Sequence, residues 1–233
     1  TGSAEPMLIH TAQASISSVL LDSSAKSVLV VETSEITSAS SPVSTTLTAV
    51  NTVSGDSEVF YSEPDPLLSD VLYGEHWDGD AMLFFGRRSC TQCDGYNADL
   101  LSINASGTEA PIYTAETSFN TPNGYTFNDD ATKALFVKSS EYSQAEQINF
   151  GISGGLGGPN NAPFTLMELD LATGNTSEVV TFGDVEDVNT DGFFTVPVVA
   201  WTDEGSPAYA YQKKLFVQSG NGTFDNYFEA GQG

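Results

Sequence analysis

A chain of 233 residues, 39% hydrophobic and 11% aromatic, carries enough apolar material for one folded core, and its charge density is too low for a disordered composition. Seven Lys and Arg against 31 Asp and Glu give a formal net charge of -24, which repels phosphate backbones and anionic headgroups and excludes nucleic acid as a partner. No apolar run reaches the roughly 18 residues needed to span a bilayer, so membrane insertion is excluded as well.

The predicted elements are short β-rich runs bounded by Gly, Asp, Asn and Ser, with no sustained helical periodicity. In the first repeat, approximately 13–63, the turn Asp22-Ser23-Ser24-Ala25-Lys26 precedes the apolar strand Val28 to Val31. A hairpin follows, from Leu47 to Val53 through Ser54-Gly55-Asp56 to Glu58 and Tyr61. The second repeat, 64–116, repeats the plan: Asp78-Gly79-Asp80 leads into Met82 to Phe85, and Ala105-Ser106-Gly107 joins Asp99–Asn104 to Pro111–Thr114. In the third, 117–182, Asp129-Asp130-Ala131-Thr132-Lys133 leads into Ala134 to Val137, and Leu166–Leu171 turns through Ala172 to Asn175 into Glu178–Phe182. The fourth, 183–233, is looser and runs from Asp203-Glu204-Gly205 to Lys213-Lys214-Leu215-Phe216-Val217 and on to Phe224–Glu229. Asp suits these turns because its side chain bonds the backbone just beyond it.

A unit recurring about every 50 to 65 residues lies in the range of propeller blades. The expected fold is therefore all-β: a β-propeller of about four blades, each a four-stranded antiparallel sheet, in one domain spanning 1–233. The apolar strand after each Asp turn is predicted to be the buried second strand, and each hairpin the third and outer strands. The segment 5–12, Glu5-Pro6-Met7-Leu8-Ile9-His10-Thr11-Ala12, is expected to close the last blade as its missing strand and so cover an open sheet edge.

Asn128 to Val137 and Leu166 to Gly174 resemble the turn-and-strand segments of TolB-type, WD40-like β-propellers. The resemblance implies a fold and not an activity. Such propellers typically have six or more blades, so four repeats imply either a small ring or part of a larger one completed by another chain or by further sequence.

Three features have chemical potential. Asp187-Val188-Asn189-Thr190-Asp191-Gly192 places oxygen-bearing side chains at alternate positions before a Gly, with Asp184 as a further ligand; calcium fits such a set, although the Glu of an EF-hand loop is replaced by Val198. Cys90 and Cys93 are the only cysteines, and a short disulfide pinning a loop is the expected reading in an exported chain. The Gly-rich insertion from Ser139 to Pro163 brings Tyr142, Phe150 and Asn160 as candidate contacts to a sugar or peptide.

His10 and His76 are the only histidines, and no nucleophile elbow accompanies them. The function expected from sequence is accordingly a non-catalytic binding or interaction module, secreted, periplasmic or at the cell surface, with a protein or glycan partner. A structural subunit of a larger assembly and a propeller-fold hydrolase or lyase are the alternatives, and self-association stays open.

Overall fold

A computed structural model describes residues 8–34, 42–63, 67–68, 70–90, 98–114, 124–139, 164–181, 198–211 and 214–229. Every regular element among them is a β-strand, and no helix occurs among the described residues. The chain packs as two compact units, Thr1–Thr114 and Ala115–Gly233, so the division falls between the second and third repeats.

In the first unit, β1 (Ser15–Leu21), β2 (Ser27–Thr33), β4 (Thr45–Asn51) and β5 (Ser57–Ser62) form one antiparallel sheet in that order. The second sheet runs β7 (Asp70–Asp78), β8 (Leu83–Cys90), β9 (Ala98–Ile103), β10 (Glu109–Tyr113). A two-stranded ribbon pairs β3 (Pro42–Val43) with β6 (Leu67–Leu68). In the second unit the third sheet comprises β11 (Thr126–Phe127), β12 (Lys133–Ser139), β13 (Phe164–Asp170) and β14 (Thr176–Thr181), and the fourth β15 (Val198–Trp201), β16 (Pro207–Tyr211), β17 (Lys214–Gln218) and β18 (Phe224–Glu229). Four antiparallel sheets of four strands are the architecture expected from the repeat.

Composition explains the strand positions. β2 is Ser-Val-Leu-Val-Val-Glu-Thr, a β-branched run buried on both faces, as suits the second strand of a blade. Alternation then splits its side chains between two surfaces. Leu29 and Val31, with Leu47 and Tyr61 from neighbouring strands, face the second sheet and pack with Leu72, Trp77, Phe84, Leu101 and Ile103 into the core of the unit. Val30 and Glu32 point to the opposite face, in register with Thr48 and Thr46. In the second unit Leu135, Leu166 and Tyr209 form the core, and the Trp201 indole donates to the Thr126 carbonyl at 2.8 Å, joining its two sheets.

The Asp turns act as the sequence indicates. Asp22 is buried, and its carboxylate accepts from the Lys26 and Ser27 amides at 3.0 Å each, the Ser24 hydroxyl at 3.0 Å and the Ser27 hydroxyl. Asn128 performs the same task in the third repeat, accepting from the amides of Thr132 and Lys133. Burial alone would push the Asp22 carboxyl up, but the bonds from Ser27, Ser24 and Lys26 outweigh it and hold the carboxyl below its ordinary value. A depressed folded value contributes stability that is complete above the unfolded pKa, about 3.9, and disappears as pH falls through the folded value. The stability difference between the native protein and Asp22→Asn is thus expected to be largest above about pH 4 and to shrink in acid. Denaturant melts across pH measure it, and a pH-independent difference would reject this account.

The fourth repeat departs from the sequence reading. Leu215 to Val217 lies in β17, the third strand of its sheet, not in the second, which is Pro207–Tyr211. Ala208-Tyr209-Ala210-Tyr211 gives the weaker strand signal because its alternating small residues make a poorer apolar run than Leu-Phe-Val. β18 then supplies the outer strand from Phe224–Glu229, so the fourth sheet has four strands without the N-terminal segment. Leu8 to Ala12, the described part of 5–12, forms no strand.

Candidate functional site

The face of the first sheet opposite its core carries the clearest constellation of reactive groups. Register places Glu32 opposite both Ile16 and Thr46, and Thr48 opposite Val30 and Val59, so the acid and two hydroxyls share one surface. The segment Ile9 to Ala14 crosses this surface without forming a strand, and between the two lies an open cleft of about 600 Å3. His10, Glu32, Thr46, Thr48, Ser57 and Val59 are among its lining residues.

Glu32 is 6% exposed and rigidly held. One carboxylate oxygen accepts from the Gln13 amide at 2.6 Å and the Ala14 amide at 3.3 Å. The other accepts from the Thr48 hydroxyl at 3.4 Å and faces His10 Nε2 at 3.8 Å. That Nε2 is buried and has no hydrogen-bond partner. An imidazole facing a fixed carboxylate is the arrangement of a proton-transfer pair, because a neutral ring with its proton on the facing nitrogen has its other nitrogen available as a base. Ile9 and Val59 give the polar cleft apolar walls, a combination suited to a peptide or sugar chain.

A second charged cluster ties the two sheets of this unit together. Arg88 of β8 donates to Glu63 Oε1 and, at 2.9 Å, to Glu109 Oε1, and the Tyr61 hydroxyl donates to that same Glu109 oxygen. Burial raises the Tyr61 phenol above its ordinary value, with the Glu109 hydrogen bond and the Glu109 and Glu63 charges adding to the rise. Burial works to lower Arg88, and its bonds and proximity to Glu63 and Glu109 reverse that, fixing the guanidinium in its charged form.

The residues singled out from sequence are placed differently. Asp184, Asp187, Asn189 and Asp191 lie outside the described residues, as do Tyr142, Phe150 and Asn160. Cys90 ends β8 opposite Asp70, and Cys93 lies outside the described residues. Among the described residues no group of three His, Cys, Asp or Glu side chains comes together to hold a metal. Sequence shows no nucleophile elbow beside His10, and the carboxylate it faces is 22 positions away, near the end of a buried apolar strand. A Glu inside Val-Leu-Val-Val-Glu-Thr was the available signal, since a buried charge in such a run needs a reason.

No protein-family model matches the chain, and no curated protein matches it. Solved structures do. An oligogalacturonate lyase in complex with manganese matches 93% of this chain over 60% of its own, with a TM-score of 0.54 and 11% identity. The β-propeller domain of the Trilobed protease from Pyrococcus furiosus matches 93% over 57%, with a TM-score of 0.52 and 10% identity. The acylaminoacyl peptidase of Pyrococcus horikoshii matches 92% over 32%, with a TM-score of 0.58 and 10% identity. The fold is a β-propeller, and the chain spans less than two thirds of the length of each of these proteins. The expectation of a non-catalytic binding or interaction module is corrected by these likenesses, since the propellers concerned belong to a lyase and to peptidases. The approach of His10 to Glu32 is created by folding and has no linear motif.

Proposed function

We propose that the chain is the propeller part of a hydrolase or lyase, with His10 moving a proton in the cleft and Glu32 orienting and polarising it. The observation that carries this reading is the buried His10 nitrogen, without a hydrogen-bond partner, facing a carboxylate that two backbone amides and a threonine hydroxyl hold in place. Removing a proton from a water molecule serves hydrolysis, and removing one from carbon serves elimination, so one pair suits either class. Hydrolysis of a neutral or cationic peptide or glycan is favoured, because a net charge of -24 repels an anionic polymer. Likeness to a peptidase and a lyase supports the same pair of classes.

The test is turnover on a panel of peptides and oligosaccharides, scoring new chain ends for hydrolysis and an unsaturated product for elimination. His10→Gln and Glu32→Gln are each expected to lower kcat by at least about a hundredfold with folding intact. Full activity in both variants would remove the cleft as the site.

The turn-and-strand repeat supports membership of the TolB-type, WD40-like propellers, and the alternating oxygens of Asp187, Asn189 and Asp191, with Asp184 nearby in sequence, support a calcium loop. Calcium is expected to raise the melting temperature over EDTA by several degrees, and Asp191→Ala to abolish the rise; equal melting in both media would make the loop an ordinary turn. Ser and Thr richness with scarce Lys supports a secreted or periplasmic location, in which Cys90 and Cys93 would pair. Free thiols titrating in the native protein before any reductant is added would argue against that pairing.

A further inference from the structure

The core-facing side of the first sheet ends in a row of polar residues. Val31, Leu47 and Tyr61 stand side by side across β2, β4 and β5 and pack into the core. Two residues along, alternation brings Thr33, Thr45 and Glu63 onto the same face: Thr33 is the register partner of Thr45, and the Glu63 amide donates to the Thr45 carbonyl at 3.0 Å. Partners across such a ladder stand about 4.5–5.5 Å apart, so the three side chains are immediate neighbours. Their exposures are 7%, 0% and 7%, yet Thr33 Oγ1, Thr45 Oγ1 and Glu63 Oε2 all lack a hydrogen-bond partner.

Three adjacent unsatisfied oxygens in one row are costly, because each has lost its hydration without replacement. Arg88 does not relieve them: its guanidinium bonds Glu63 Oε1 and Glu109 Oε1 and leaves Glu63 Oε2 a bare acceptor. The cluster also holds two carboxylates against one guanidinium, an excess of one negative charge.

We propose that Thr33, Thr45 and Glu63 form a buried site for a single monovalent hard cation, sodium or potassium. Oxygen-only donors suit a hard ion and not a transition metal. A single positive charge balances the excess carboxylate, whereas a divalent ion would leave the cluster positive. The hydroxyls offer lone pairs to the ion and turn their hydrogens elsewhere. This site lies on the opposite face of the sheet from the His10 cleft and does not depend on the reading of that cleft.

The experiment compares thermal unfolding of the full chain in sodium chloride, potassium chloride and N-methylglucamine chloride at equal ionic strength. General screening of the acidic surface is the same in all three, and the bulky organic cation cannot enter a buried row. A saturable rise in melting temperature with sodium or potassium, whichever the site selects, is expected, and it is lost in Thr45→Val and in Glu63→Gln. Thr45→Val preserves shape, so it keeps the test valid even if Glu63→Gln fails to fold. Identical melting in the three salts overturns the site. A rise that persists in Thr45→Val overturns it too, by placing the cation elsewhere. Stabilisation by Thr45→Val to the same degree in every salt would show a hydroxyl that simply lacks a partner, or one that holds only water.

Discussion

Arg88→Met is expected to destabilise the first unit by about 3–5 kcal/mol, the usual cost of breaking a buried ion pair from one side. The methionine keeps most of the apolar stem, so the loss isolates the guanidinium from the packing of the chain that carries it. Glu63 has a side chain only 4% exposed and would lose its guanidinium partner with little access to water, while Glu109, 36% exposed, would be relieved by water. Adding Glu63→Leu to Arg88→Met should recover most of the lost stability at neutral pH, because an apolar replacement of both partners is close to neutral. Urea melts of the three proteins decide the matter. A cost below about 1 kcal/mol, typical of an exposed pair, would mean that the Arg88 cluster is solvated.

Trp77→Ala is expected to cost about 3–5 kcal/mol, the range for removing a large buried aromatic side chain. Trp77 is 1% exposed and sits on β7, the first strand of the second sheet. Its ring meets Phe60 of the first sheet edge-on, with centroids 5.2 Å apart and planes at 74°. Its indole N–H donates to the Ser27 hydroxyl at 2.9 Å, and that hydroxyl in turn donates to Asp22. The residue thus links the Asp turn of one sheet to the body of the next. Trp77→Phe retains an aromatic ring but not the donor, and is expected to cost about 1–3 kcal/mol. Equal stability of the Phe and native proteins would show that the Trp77–Ser27 bond contributes nothing measurable. Gly79 stands close enough to this linkage that an added Cβ would collide with Ser27 Oγ and would lie 2.5 Å from Asp22 Oδ2.

The parts of this fold legible in sequence are those written locally. A turn residue and the strand after it are near neighbours, so Asp22, Asp78 and Asp129 mark β2, β8 and β12, and Gly55, Gly107 and Gly174 mark the hairpins, all three adopting positive φ. Ala25 and Ala131 share that left-handed region at equivalent positions of their Asp turns, where no glycine announces it. The fourth sheet was misread because the small residues of β16 carry little of the apolar contrast on which the reading depends. Neither the His10–Glu32 pair nor the Thr33–Thr45–Glu63 row was legible. The row is assembled across strands by register, and the pair by a strandless segment laid over the sheet; both depend on global packing, which no local pattern of Thr, His and Glu encodes.

The chain has two tryptophans, and the division into units separates them: Trp77 belongs to the first and Trp201 to the second. Each is held by a hydrogen bond from its indole nitrogen, Trp77 to Ser27 and Trp201 to the Thr126 carbonyl, so each indole loses a defined environment when its own unit opens. The molecule therefore carries a built-in optical probe for each half. In Trp201→Phe, emission follows the first unit alone, and in Trp77→Phe the second. Each emission curve is set against the backbone circular-dichroism melt of the same variant: coincident curves would mean that the halves open as one cooperative body, and displaced curves that one half stands while the other is already unfolded.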